Sequence, residues 1–292
     1  MDCNSLLQYI LEDVRQYAGT RRFVKAGLVE RMAVKKVSPV VLHPNPDDEF
    51  SMADIGPNMS IVSRYTEMIQ YNIDYELPVF EEPIVVEKML PDGYMILNGH
   101  HRWAAALQSG TGKVRIQVIN VTHDEDIYRM LKSSQSDKRV ILDLDEIVFA
   151  GEGDPTEPLG FPYNKIFTCR MKLGMAAFLD ALKKRGYDIW AFTASEHSEK
   201  YFNYFFEAHR IKITGVVNCI NQKKAARVKE NKQMASAFAK KYNQTLTLLK
   251  DSMIYVKAKN YEVIEIDAYG AAKELLDQID RVERLYAADC EG

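Results

Sequence analysis

The sequence predicts an α/β protein in two units, a larger C-terminal one built on a mostly parallel sheet and a smaller N-terminal α+β one. Three observations predict it. The 292-residue length exceeds what one ordinary core organises, at roughly 150 residues per domain. A polar run, Ser133-Ser134-Gln135-Ser136-Asp137, reads as a linker between stretches of different rhythm. Beyond it, short apolar strands alternate with amphipathic helices, the β-α-β order that builds parallel sheets. The expected division is a helical extension over 1–36, the smaller unit over 37–137 and the larger over 138–292.

Taken in order, Ser5–Tyr17 has the spacing of an amphipathic surface helix, and Glu12 and Asp13 interrupt it too soon for a signal peptide. A strand is expected at Ser38–Leu42, stopped by His43-Pro44-Asn45-Pro46. A helix at Ile61–Tyr71 precedes strands Ile84–Lys88 and Tyr94–Leu97, which flank the turn Pro91-Asp92-Gly93. A helix opening near His101, a strand at Val114–Val121 and helical character at Asp126–Lys132 complete the first unit. The second begins with the apolar strand Arg139–Leu142. Helices follow at Met171–Arg185, Ser198–Ala208 and Asn231–Tyr242, with strands at Asp188–Phe192, Thr214–Asn218, Leu246–Leu249 and Val263–Ile266.

Composition narrows the function classes. At 47% hydrophobic and 27% charged the chain has the make-up of a packed soluble protein, and it contains no apolar run of about 18 residues that could span a bilayer. A net charge of −3 and a pI near 6.1 give no overall attraction to nucleic acid. The local basic stretch Arg21, Arg22, Lys25, Arg31, Lys35, Lys36 reads as a solvated flank. Cys3, Cys169, Cys219 and Cys290 lie far apart with no C-x-x-C pair, which argues against a zinc knuckle or a disulfide framework and for a reducing, cytoplasmic setting.

Ligands collect at the carboxyl ends of parallel strands, and four signals can be checked. Asp143 and Asp145 follow Val140-Ile141-Leu142; one carboxylate can attack phosphorus while its neighbour moves the proton of the leaving oxygen. Thr193-Ala194-Ser195 offers hydroxyls to a phosphoryl oxygen. Lys232, at a helix start, offers positive charge to a dianionic transition state. Asp251-Ser252 follows the Leu246–Leu249 strand and places a carboxylate for magnesium.

With these pieces in this order, VILDLDEIVF, IWAFTAS, the Lys232 region and LLKDSMIYVKAKNYEVIEID, the chain resembles the haloacid dehalogenase-like (HAD) phosphohydrolase superfamily over about 138–284. The resemblance implies a Rossmann-like fold in which Asp143 becomes an aspartyl-phosphate and Asp145 acts as acid and base. Mg2+ would be held by Asp143, the backbone carbonyl of Asp145, and Asp251. Thr193 would bond the phosphoryl oxygens, and Lys232 would neutralise charge, with Lys223 or Lys224 as alternatives. Lys250, Tyr255 and Val256 stand where the family commonly has a second acid, which points to weaker metal affinity. Residues 150–170 leave no space for a large cap. In this superfamily that implies a macromolecular substrate or a lid from another domain, and KLGMAAFLDALKKRGYDIWAFTAS is similar to the branch that acts on phosphorylated peptide tails.

In the first unit, a hairpin feeds a helix start at Asn98-Gly99-His100-His101-Arg102-Trp103. Gly99 allows close backbone approach, first-turn N–H groups face outward, and Arg102 can grip two oxygens, the geometry of a phosphate site. His100 and His101 can donate hydrogen bonds or move protons. With the turn LHPNP and the strand PIVVE, this stretch resembles the ParB/sulfiredoxin-like superfamily over about 37–121, which implies binding of ATP, ADP or CTP through Gly99, His100, His101 and Arg102. His100 replaces the reactive cysteine of sulfiredoxin, so sulfinate repair is excluded. The short stretch after Val121 leaves no room for a helix-turn-helix, so no duplex DNA-binding motif is expected.

The combined expectation is a magnesium-dependent phosphomonoesterase coupled to a nucleotide-binding module. Its substrate would be a phosphorylated small molecule, peptide or nucleic-acid end. The alternatives are a kinase–phosphatase pair, with Asp47, Asp48 or Glu49 as the kinase base, and a non-catalytic nucleotide-gated binding protein.

Overall fold

The computed structural model describes residues 2–17, 22–195, 197–218, 232–248, 252–257, 262–267, 276–277, 279–281 and 283–284. The protein is mixed α/β, and its contacts divide it into residues 1–121 and 122–292. No helix among the described residues is long and apolar enough to cross a membrane.

The first unit runs α1 (Cys3–Tyr17), β1 (Arg22–Phe23), α2 (Leu28–Met32), β2 (Val34–Val37), a 3-10 turn at Pro39–Val41, β3 (Leu42–His43), α3 (Met59–Asp74), β4 (Ile84–Leu90), β5 (Tyr94–Asn98), α4 (His100–Gln108) and β6 (Val114–Ile119). Its sheet has the order β2-β6-β4-β5-β3, with β1 pairing β4. The pairing is mixed: β4 is parallel to β6 and antiparallel to β5. Asn58 caps α3 by accepting from the N–H groups of Ser60 and Ile61, which satisfies two donors the first turn leaves open.

The extension expected over 1–36 is an integral layer of this unit. Leu6 and Ile10, one helical turn apart, are buried in its core beside Trp103, Ile84 and Val86, β1 pairs β4 and β2 pairs β6. Asp13, which interrupts the apolar run, is buried too, against His43. The strand expected at Ser38–Leu42 is the 3-10 turn, with strands on either side of it. Pro39, at the start of that turn, has no N–H for a ladder, and its carbonyl accepts from Trp103 Nε1 at 2.8 Å.

The second unit runs α5 (Asp124–Ser133), β7 (Lys138–Asp143), α6 (Tyr163–Ile166), α7 (Met175–Lys184), β8 (Tyr187–Thr193), α8 (Glu199–Ala208), β9 (Gly215–Asn218), α9 (Lys232–Lys241), β10 (Gln244–Leu248), β11 (Ser252–Lys257) and β12 (Glu262–Asp267). The sheet order is β12-β11-β10-β7-β8-β9. The four strands from β10 to β9 are parallel, and β11 and β12 add antiparallel to the β10 edge. β8 is buried along its whole length, which is why its centre, IWAF, reads as an unbroken apolar run rather than an alternating one.

The division falls after Val121, not near residue 137. Ile127, Met130 and Leu131 of α5 pack with Ile141, Trp190, Phe192, Val217, Phe238 and Tyr242, so the helix between the units belongs to the second sheet. Its first turn holds Asp124, Glu125 and Asp126, with Lys132 in the last, and His123 and Asp126 form a reciprocal cap. α7 starts at Met175, later than expected, because the chain from Phe149 to Lys172 doubles back on itself through the bridges Phe149–Met171 and Thr156–Lys172.

Candidate functional site

Strand order reverses at β7: the chain moves outward to β8 and β9 on one side and returns to β10 on the other. A crevice opens at the carboxyl end of such a switch point. Asp143 is the last residue of β7 and is 4% exposed. Its Oδ1 accepts the N–H of Asp145 at 2.8 Å and of Glu146 at 3.3 Å, as the chain leaves the strand through a π-type turn at Leu144–Val148. Two N–H donors fix the direction of the carboxylate.

Asp145 is exposed. It receives the Thr193 hydroxyl at 3.3 Å and the Ala194 N–H at 3.2 Å. Thr193, the fully buried end of β8, also accepts from Ser195 N–H at 3.0 Å. Its hydroxyl hydrogen therefore goes to the second aspartate.

The fold brings Asp143, Asp145 and Thr193 together. Lys232 opens α9, with only its backbone described, while Asp251, Lys223 and Lys224 lie outside the described residues. Among the described residues no group of three or more His, Cys, Asp and Glu is gathered as a metal site.

Three contributors escaped the sequence reading. Asn218, at the end of β9, donates through Nδ2 to the carbonyls of Ser195 at 2.7 Å and His197 at 3.1 Å, and so clamps the loop after Thr193. Lys172 reaches back to the Glu146 carbonyl at 2.7 Å. Arg170 spends its guanidinium on the carbonyls of Asn164, Phe167 and Cys169. Asn218 was findable, since the rule that singles out Asp143 and Thr193 applies equally to the last residue of the next parallel strand.

In the first unit, Gly99 holds φ +100° ahead of α4, and a Cβ there would lie 3.1–3.3 Å from the Arg102 guanidinium. Arg102 is buried and turns back along the sheet: Nη1 donates to the carbonyls of Glu82 at 2.8 Å and Pro83 at 3.3 Å. It ties down the entry to β4.

Both histidines accept backbone N–H groups through Nε2. His100 takes that of Asn45 at 3.2 Å and His101 that of Asn58 at 3.1 Å, which puts the ring hydrogen on Nδ1 of each. Burial pushes His100 down to about 4, against a smaller upward pull from Asp48, and burial also lowers His101. They pin two loops as neutral rings, with Phe50 packed 5.2 and 5.1 Å from their centroids. Of the three candidate bases, Asp48 lies beside His100. Its Oδ2 lies 3.9 Å from His100 Nδ1, and its Oδ1 caps the turn at Phe50 N–H; Asp47 and Glu49 are exposed.

A second pair was not foreseen. His43 Nδ1 sits 3.0 Å from Asp13 Oδ1, under the ring of Tyr17, whose hydroxyl donates to Asp92.

The family model of the ParB N-terminal domain matches residues 80–135. The region from β4 through α4 is therefore ParB-like, and the match runs on through α5. No curated protein matches the chain. Among solved structures, the chain is similar to the C-terminally truncated chromosome-partitioning protein ParB from Caulobacter crescentus complexed with CTP-gamma-S. Identity is 21%, coverage 34% of this chain and 49% of that one, and the TM-score 0.24. The same protein complexed to the centromeric parS site gives 19% identity, 35% and 50% coverage and a TM-score of 0.22. The chain spans about half the length of these structures, and likenesses this weak carry nothing about what it binds. The comparisons lend no support to the expected lack of a duplex-DNA motif.

Proposed function

We propose that the second unit is a magnesium-dependent phosphomonoesterase of HAD type and the first a nucleotide-binding module. The observation that carries the hydrolase reading is the meeting, at one sheet edge, of a buried carboxylate held by two N–H groups, an exposed carboxylate two residues on, and Thr193 on the neighbouring strand. The Asp143 carboxylate attacks phosphorus as the ester P–O bond breaks, and Asp145 passes a proton to the departing oxygen. A water then attacks the phosphoaspartate, losing its proton to Asp145, and phosphate leaves. Thr193 and Ala194 N–H hold Asp145 within reach of both transfers.

The Asp143 carboxylate and the Asp145 carbonyl are hard oxygen donors of the kind magnesium takes, so the described residues fit two of its ligands; the HAD resemblance would make Asp251, outside the described residues, the third. Bound there, the ion would screen the nucleophile from the phosphate charge. The test is hydrolysis of 4-nitrophenyl phosphate with and without Mg2+. Wild type is expected to turn over only with the metal, and Asp143→Asn to lose on the order of 10³-fold or more. Equal rates for the two proteins would end the reading and favour a non-catalytic binding role.

The nucleotide reading rests on the open first turn of α4, whose N–H groups the helix itself cannot satisfy, within the ParB-like stretch. Calorimetric titration with ATP, ADP and CTP should show saturable binding of one of them. Arg102→Ala, which frees the Glu82 and Pro83 carbonyls, should weaken it about tenfold or more. Heat of binding from none of the three would remove this half.

A further inference from the structure

Beside the proposed hydrolytic carboxylates lies a feature that chemistry at phosphorus does not use. His197 is exposed, yet its ring stacks on Tyr201 with centroids 3.9 Å apart and planes 19° apart. Two routes tie this pair to the site. Along the backbone, His197 N–H donates to Ser195 Oγ at 3.3 Å, and Ser195 N–H donates to the same Thr193 hydroxyl that bonds Asp145. Across the fold, Tyr201 OH accepts from Thr168 N–H at 3.3 Å and lies 3.7 Å from Cys169 Sγ, a thiol close enough to Asp145 to feel its charge.

The position of the imidazole is fixed as well as near. Asn218 holds the His197 carbonyl, and Ser198, the next residue, caps α8 at Tyr201 N–H. One face of the ring is covered by Tyr201, Phe202 meets it edge-on at 6.2 Å, and the residue as a whole remains exposed. Partial burial holds its pKa below the ordinary histidine value, so the ring is neutral at assay pH and offers a flat π surface rather than a cation.

Resting on the phosphomonoesterase reading, we propose that His197, seated on Tyr201, is a specificity-determining platform that selects phosphomonoesters whose leaving group carries a flat aromatic ring. A planar leaving group stacks on the exposed imidazole while its phosphate reaches Asp143. An aliphatic one has nothing to lay there. The preference is one of stacking, so it needs a ring at position 197 and no proton.

The test compares kcat/KM for phenyl phosphate and for glycerol 2-phosphate, with Mg2+ at pH 7.5, in wild type, His197→Ala and His197→Phe. His197→Ala should lower the aryl-to-alkyl ratio about fivefold, the size of one lost aromatic contact, chiefly through the KM for phenyl phosphate. His197→Phe should keep the wild-type ratio. A ratio unchanged in His197→Ala, or equally lowered in His197→Phe, overturns the platform while leaving the hydrolase standing. Absence of magnesium-dependent turnover of both substrates in wild type overturns the parent reading and this one together.

Discussion

His100 accepts the Asn45 N–H through a lone pair that only its neutral ring possesses. Its folded pKa, about 4, lies below the unfolded value of 6.5. The unfolded chain therefore binds the extra proton first, and stability contributed by the neutral ring is complete above pH 6.5 and is lost as pH falls toward 4. The shift corresponds to about 3 kcal/mol. Urea unfolding of the first unit should show this loss between pH 7 and pH 4, and His100→Gln should flatten the dependence. Gly93 makes the second residue-scale prediction. It holds φ +78°, and a Cβ there would meet His43 Nε2 and the Val41 carbonyl at 2.5 Å. Gly93→Ala is expected to cost more than about 2 kcal/mol in the same assay, because the buried His43 ring backs onto Asp13 and cannot retreat.

Between strands, the loop from Thr193 to His197 is shaped from outside itself by Asn218. Asn218→Ala should leave the sheet intact and lower kcat for 4-nitrophenyl phosphate by roughly tenfold through looser placement of Thr193 and Asp145; an unchanged kcat would reduce the clamp to a local tie. Strands and helices with strong periodicity were legible: Ile84–Leu90, Tyr187–Thr193 and Glu199–Ala208 fall within a few residues of where their apolar spacing places them. The clustering of Asp143, Asp145 and Thr193 was legible too, because parallel strands end at a common edge. Three things were not. Asp13 looks like a surface acid until His43, thirty residues later, is seen against it. β11 adds antiparallel to the sheet in a stretch, SMIYVK, with no turn signal to announce it. Arg102, expected to reach outward for phosphate, instead satisfies two carbonyls of its own sheet, a choice decided by tertiary neighbours.

At the scale of the molecule, the described residues of the two units fall in different core clusters: Leu6, Val62, Ile96 and Trp103 in one, Val140, Phe178, Tyr187 and Phe206 in the other. Gly215→Ala, whose Cβ would meet Trp190 at 2.7 Å and Met130 Sδ at 2.8 Å, should destabilise the second unit as Gly93→Ala does the first. In the double variant the losses should add within about 0.5 kcal/mol, and calorimetry should resolve which transition each one shifts.

The helix α5 sits on opposite sides of two boundaries, inside the ParB-like match by sequence and under the second sheet by packing. Anyone excising the first unit for study would be tempted to stop where the family match stops. Such a fragment would carry off Ile127, Met130 and Leu131 as a greasy tail, and its complement would be left with Trp190 and Phe192 unroofed; both pieces are bound to clump. A scissor placed after Val121 spares each half that fate.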